Sequence, residues 1–192
     1  RSKYLQLGLV LLILLFGYNV ITDKQSQLDI DASASLGDAL LTLDRDDLTT
    51  AQFQLETVLN EYDNTPSASV AEFYLGKMSY NADDKEEANR FLNSYLKKSP
   101  KGFLAASASI MLADISANES QLKEGIQILD KGISNVNSEK DLRLLKLRKA
   151  ELELRQGNKD IAKSIVEELL SDDDITNWNK QIAQEILGRI VS

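Results

Sequence analysis

The sequence predicts an all-α chain: a single transmembrane helix at the N-terminus, an α-solenoid of about four helical hairpins, and a C-terminal capping helix. Three observations predict it. The chain opens with an uncharged apolar run, and the remainder places apolar residues at helical spacing with only two prolines, Pro66 and Pro100. That remainder also repeats itself with a period of 37 residues.

Arg1 to Lys3 form a basic flank. Behind it YLQLGLVLLILLFGYNVI, from Tyr4 to Ile21, holds 18 residues without a charge. As a helix it is about 27 Å long, close to the roughly 30 Å hydrocarbon core of a bilayer. Tyr4 and Tyr18 stand near its ends, where amphipathic rings favour the interface, and Leu11 and Phe16 lie in its apolar body; these residues are assigned to a membrane anchor. A secretory signal would need a small-residue cleavage site just behind the run, but the nearest, Ala32-Ser33-Ala34, lies more than ten residues on. The expectation is an uncleaved anchor over 4–21, followed by a linker over 22–31. Charge sets the orientation. The formal net charge of -8 divides into +2 before the run and -10 after it, from 20 basic against 30 acidic side chains. The positive-inside rule then leaves residues 1–3 as a cytoplasmic flank and puts the rest across the membrane.

Residues 32–174 read as four copies of one unit. Small residues recur at Ala39, Gly76, Ala113 and Ala150, and again at Ala51, Ala88, Gly125 and Ala162. Large apolar residues keep the same register: Leu36, Phe73, Ile110 and Leu147; Leu55, Leu92, Leu129 and Val166; Leu59, Leu96, Ile133 and Leu170. Two antiparallel helices pack closely only where one side chain is small, so each hairpin needs Ala or Gly at its crossing, with Leu-sized residues around it. Neither helix buries its apolar face alone, and neighbouring hairpins stack to share a core. Turns within hairpins are expected at 44–47, 81–85, 118–121 and 156–159. Between hairpins they are expected at Asn64-Thr65-Pro66, Ser99-Pro100, Asn137-Ser138 and Ser171 to Asp174. Residues 175–192, with Trp178, Ile182, Ile186, Leu187 and Ile190, read as the first helix of an incomplete fifth unit that caps the stack.

The stretch EFYLGKMSYNADDKEEANRFLNSYLKKSP, from Glu72 to Pro100, resembles the tetratricopeptide repeat, with Leu75-Gly76, Ala88, Leu92, Tyr95 and Pro100 at the pattern positions. RKAELELRQGNKDIAKSIVEELL carries the same pattern through Ala150, Gly157 and Ala162; the hallmark Trp is absent from all four copies. A period of 37 rather than the usual 34 is expected to lengthen the loops between repeats. In such arrays the first helices of successive hairpins line a concave groove for peptide segments. By column, the resemblance implies that Lys77, Asp114 and Glu151 look into it, with Tyr80 and Leu154 one turn further along.

Chemistry is mostly excluded. The chain has no histidine and no cysteine, which removes the imidazole base, the thiolate nucleophile, disulfides and Cys-based metal sites. The acidic balance opposes nucleic acid. Clusters at Asp44-Asp46-Asp47, Asp83-Asp84-Glu86-Glu87 and Asp172-Asp173-Asp174 lack the alternating layout of a calcium loop and suit helix N-termini instead. No catalytic residue, metal, cofactor, small-molecule substrate or phosphate loop is assigned.

The layout of short basic start, anchor and small acidic repeat domain is similar to that of the YfgM-like family, ancillary subunits of the Sec translocon in bacterial inner membranes. The segments LRKAELELRQGN from Leu147 and Leu104 to Asp114 carry the likeness. It implies a single-pass inner-membrane protein with a periplasmic repeat domain. It also implies a non-enzymatic adaptor that contacts the translocon, or unfolded secreted chains on their way to chaperones. A structural accessory subunit of another membrane complex and an envelope-assembly or division coordinator stay open beside it.

Overall fold

The computed structural model describes residues 24–118 and 120–191. Among these residues there are nine helices and no strand. The first, α1, covers 24–44, so the residues read as linker over 24–31 are helical. Gln25 and Gln27 donate one turn ahead to Asp29 (3.1 Å) and Asp31 (2.8 Å), and Ala32 is buried on the same helix. The others are α2 (Leu48–Glu61), α3 (Pro66–Asn81), α4 (Lys85–Lys98), α5 (Ala105–Asn118), α6 (Leu122–Asn135), α7 (Glu139–Gln156), α8 (Lys159–Leu170) and α9 (Asn177–Val191).

One part of the expected fold class is overturned. Among the described residues no helix is long and apolar enough to cross a membrane. The most apolar, α5, has 14 residues, about 21 Å of helix. The 18 residues of α7 carry charges from Glu139 to Arg155. The anchor expected over 4–21, with Tyr4, Leu11, Phe16 and Tyr18, lies outside the described residues. Over the described residues the fold class is corrected to all-α helical hairpins, none of whose helices can cross a membrane.

All four hairpins turn alike. The chain enters the left-handed region at Asp46 (φ 62°), Asp83 (58°), Ser120 (65°) and Gly157 (92°), positions 37 residues apart. The following residues, Asp47, Asp84, Gln121 and Asn158, donate their N–H to the carbonyls of Thr42, Ser79, Ser116 and Glu153 at 2.8 to 3.3 Å. This is the six-to-one bond of a Schellman motif, which satisfies the open carbonyls of the first helix. Those same residues are the N-caps of the second helices. Asp47 and Asp84 accept from the N–H of Thr50 and Glu87 at 3.2 Å, whereas Gln121 and Asn158 make no side-chain cap. Two of the acidic clusters are therefore turn and cap residues.

The chain divides into two compact units within α3, the first ending at Ala71 and the second spanning Glu72–Ser192. In the first unit Ala32, Ala39, Ala51, Leu55 and Val58 are buried, and Ser35 Oγ on α1 donates to the Tyr62 hydroxyl at 3.4 Å. Thr65 Oγ1 accepts from the Ala68 N–H at 3.1 Å, and Pro66 takes the first helical position, where its missing N–H costs nothing.

In the second unit, second helices pack between successive first helices in three connected cores. Phe73, Leu92, Tyr95 and Leu112 join α3, α4 and α5; Ala113, Leu129, Leu145 and Leu152 join α5, α6 and α7; Leu147, Val166, Ala183 and Ile186 join α7, α8 and α9. The two small columns are buried throughout, and Leu55, Leu92, Leu129 and Val166 are all fully buried. The reason for small residues is visible at two crossings. A Cβ on Gly76 would lie 2.8 Å from Leu92 Cγ, and one on Gly125 would lie 2.8 Å from the Ala113 carbonyl oxygen.

Two expectations change. Between α6 and α7 only residues 136–138 stand outside a helix, and the 18-residue α7 takes up the extra length that was assigned to a loop. Trp178 is 63% exposed and takes no part in the cap, because the inward stripe of α9 is Asn179, Ala183, Ile186 and Ile190, one position out of phase with it.

Candidate functional site

The first helices α3, α5 and α7 bring three of the five assigned groove residues into one line. Tyr80, near the end of α3, donates its hydroxyl proton to Asp114 Oδ2 on α5 at 3.3 Å. Arg148 on α7 donates from Nε to Asp114 Oδ1 at 2.5 Å, and from Nη1 to Glu151 on its own helix. Asp114 thus uses both carboxylate oxygens, one toward each neighbouring repeat. Two turns further along α7, Arg155 donates from Nη2 to the Ala117 carbonyl at 3.3 Å. Residues 148 and 155 share a face, as do 114 and 117, so α7 grips α5 at two heights.

Burial raises the Asp114 pKa above the ordinary carboxylate value, and the Arg148 guanidinium pulls against that rise. Burial, with Asp114 beside it, also raises the Tyr80 phenol. For Arg148, burial opposes the charge, but Asp114 and Glu151 overcome it and raise the pKa. The line is nonetheless open to a ligand: the side chains of Asp114, Arg148 and Glu151 keep 15%, 24% and 32% of their exposure. Beside Tyr80 a cavity of about 300 Å³ is walled by Ile115 and by Asn81 and Asn118, which stand one repeat apart.

The other two assigned residues fall elsewhere. Lys77 is exposed on α3, one turn before Tyr80 and outside the hydrogen-bonded line. Leu154 is half-buried and packs against the core formed by Leu147, Ala150 and Ala162. An aliphatic side chain there fills space between α7 and its neighbours. Sequence reasoning missed Arg148, Asn81 and Asn118. A signal existed for each: Arg148 sits three residues before Glu151, at ion-pair spacing on a helix, and the two Asn are 37 apart.

Among the described residues no group of three or more acidic side chains gathers as a metal site requires. The third acidic cluster is engaged locally: Asp172 Oδ2 accepts from Arg143 Nε at 2.6 Å, and its other oxygen accepts from the Asp174 N–H at 2.9 Å.

No curated protein matches the chain. Residues 2–164 match a protein family described as Tetratricopeptide repeat-like domain. That fold is typically a non-catalytic scaffold for protein–protein interaction. With the 37-residue column register, the four Schellman turns and the alternating packing of first and second helices beside it, the match covers most of the chain, and the chain belongs to the tetratricopeptide repeat-like family.

Proposed function

We propose that this chain binds a segment of a partner protein across its first helices, and that the partner is a Sec translocon subunit or a secreted chain leaving the translocon on the periplasmic side, for transfer to chaperones. The observation that carries the binding mode is the polar line from Tyr80 through Asp114 and Arg148 to Glu151. Its members are held by one another before any ligand arrives, so less side-chain freedom is lost on binding. Their charges are still partly exposed, and Lys77 adds an exposed cation one turn away. The choice of partner rests on the resemblance to the YfgM-like subunits.

In-cell crosslinking followed by affinity purification of the full chain tests both parts. Translocon subunits are the expected catch, and Lys77→Glu, an exposed change that leaves the fold alone, is expected to reduce it. Stoichiometric recovery of an unrelated complex would remove the translocon from the proposal. Equal recovery by Lys77→Glu would remove the first-helix face.

A further inference from the structure

A second surface lies away from the line just described, in the hollow between α4 and α6 above α5. It encloses about 320 Å³, at the lower end of the roughly 300–1,000 Å³ typical of ligand sites. Leu96, Leu112 and Ile128 give it apolar walls, Lys97 comes to it from α4 and Lys131 from α6, and no carboxylate lines it. At Gly132 the helix α6 lies close on α5, where an added Cβ would be 3.1 Å from the Ser109 Cβ, so backbone forms part of the floor.

The repeat itself shows what is missing there. The first-helix position reads Glu72, Ser109 and Lys146 in three successive hairpins, and the second-helix position facing it reads Ser94, Lys131 and Glu168. In the earlier hairpin the pair is bonded: Ser94 Oγ donates to Glu72 Oε1 at 2.7 Å, and Lys98 Nζ reaches the same oxygen at 3.0 Å. In the later one Lys146 meets Glu168 at 2.8 Å, with Lys149 on Asp130 at 2.6 Å beside it. In the middle one of these three the acid is absent, as it also is in the first hairpin, where the two positions read Ser35 and Thr57. Ser109 is buried and donates instead to the Ala105 carbonyl at 2.8 Å. Among the described residues Lys131 and Lys97 are left without an ion-pair partner, in a chain of net charge -8.

We propose that this hollow binds an acidic peptide segment of a partner protein, one that places leucine-sized side chains between carboxylates. The apolar side chains enter between Leu96, Leu112 and Ile128, and the flanking carboxylates take Lys97 on one side and Lys131 on the other. Two cations supplied by different helices call for two carboxylates around an apolar centre, which a peptide supplies and a single-headed fatty acid does not.

The test titrates the full chain with a fluorescent hexapeptide, Asp-Glu-Leu-Leu-Asp-Glu, by anisotropy, with NMR shift mapping of the bound state. Saturable binding is expected, with shifts at Lys97, Leu112 and Lys131. Exposed Lys97 and Lys131 can be reversed without disturbing the core, and the double variant Lys97→Glu, Lys131→Glu is expected to weaken binding about tenfold or more. The same variant is expected to gain affinity for Lys-Lys-Leu-Leu-Lys-Lys. A peptide with serines in place of the leucines is expected to bind poorly. Undiminished binding by the double variant, equal binding of the serine peptide, or shifts confined to Lys77, Tyr80 and Glu151 would overturn the proposal. So would displacement of the peptide by laurate at lower concentration, or concentration-dependent shifts at these residues with no peptide present, which would mark contact with a second copy.

Discussion

Replacing Gly125 with alanine probes a close helix crossing whose nearest neighbour is backbone. The new Cβ would stand 2.8 Å from the Ala113 carbonyl oxygen and 3.1 Å from Leu152 Cδ1. The oxygen belongs to the backbone of α5 and cannot swing aside, so the two helices must part by roughly 0.7 Å to restore an ordinary contact of about 3.5 Å. Overpacking of this kind costs about 1–3 kcal/mol. Alanine also recovers roughly 0.8–1 kcal/mol of helix propensity, leaving a net loss of about 0–2 kcal/mol. A second substitution separates the two effects. Gly188, in α9, has nothing within 4 Å of an added Cβ, so Gly188→Ala keeps the propensity gain alone and is expected to stabilise by up to ~1 kcal/mol. Urea unfolding followed by circular dichroism should then place Gly125→Ala below Gly188→Ala by about 1–3 kcal/mol, with m-values unchanged from wild type. If Gly125→Ala proves as stable as Gly188→Ala, the small-residue columns are not close crossings and the packing rationale fails.

Three further outcomes are expected. Ser120 holds a left-handed conformation at φ 65°, which costs an L-residue roughly 1–2 kcal/mol, while glycine gives back about 0.4–1 kcal/mol in chain entropy. Ser120→Gly should therefore raise the urea midpoint by the equivalent of about 0.5–1 kcal/mol, and Gly157→Ala should lower it by a similar amount; a loss on Ser120→Gly would contradict the turn assignment. Gln121→Asp supplies the side-chain cap that Asp47 and Asp84 provide in their hairpins, and is expected to add roughly 0.5–1 kcal/mol, measured in the same way. Burial raises the Asp114 pKa in the folded state against the pull of Arg148, so the folded chain holds that proton more tightly than the unfolded one. The stability contributed by this group falls as pH rises from the ordinary carboxylate value of about 3.9 through the raised folded value. Wild type should lose stability relative to Asp114→Asn across that window, and a relative gain would mean that Arg148 outweighs burial.

The repeat was legible because packing imposes a residue class that a column search can see. Ala and Gly recur at every crossing, and Leu or Val at the most buried position. The turn stretches at 44–47, 81–85, 118–121 and 156–159 were legible too, but the left-handed position they share was hidden, because Asp46, Asp83, Ser120 and Gly157 have a backbone conformation in common, not a chemical class. Arg148 escaped for the opposite reason: its column reads Tyr74, Met111 and Arg148, so the residue that joins Asp114 to Glu151 occurs in one repeat only. Trp178 was misplaced because size and apolarity suggested the cap, whereas phase on α9 decides it. The hollow between α4 and α6 was equally hidden, since its lysines go unpaired between two hairpins that do hold an acid, visible only when the bonds of those neighbours are known.

The central claim is that partners are taken on the face made by successive first helices. Site-specific photo-crosslinking in cells tests it most directly, with the photoreactive residue introduced at exposed Lys77 on α3 and, in parallel, at exposed Lys163 on the second helix α8. Protein adducts from position 77 and none from position 163 are expected. Adducts from 163 with none from 77 would contradict the claim and move the binding face to the second helices.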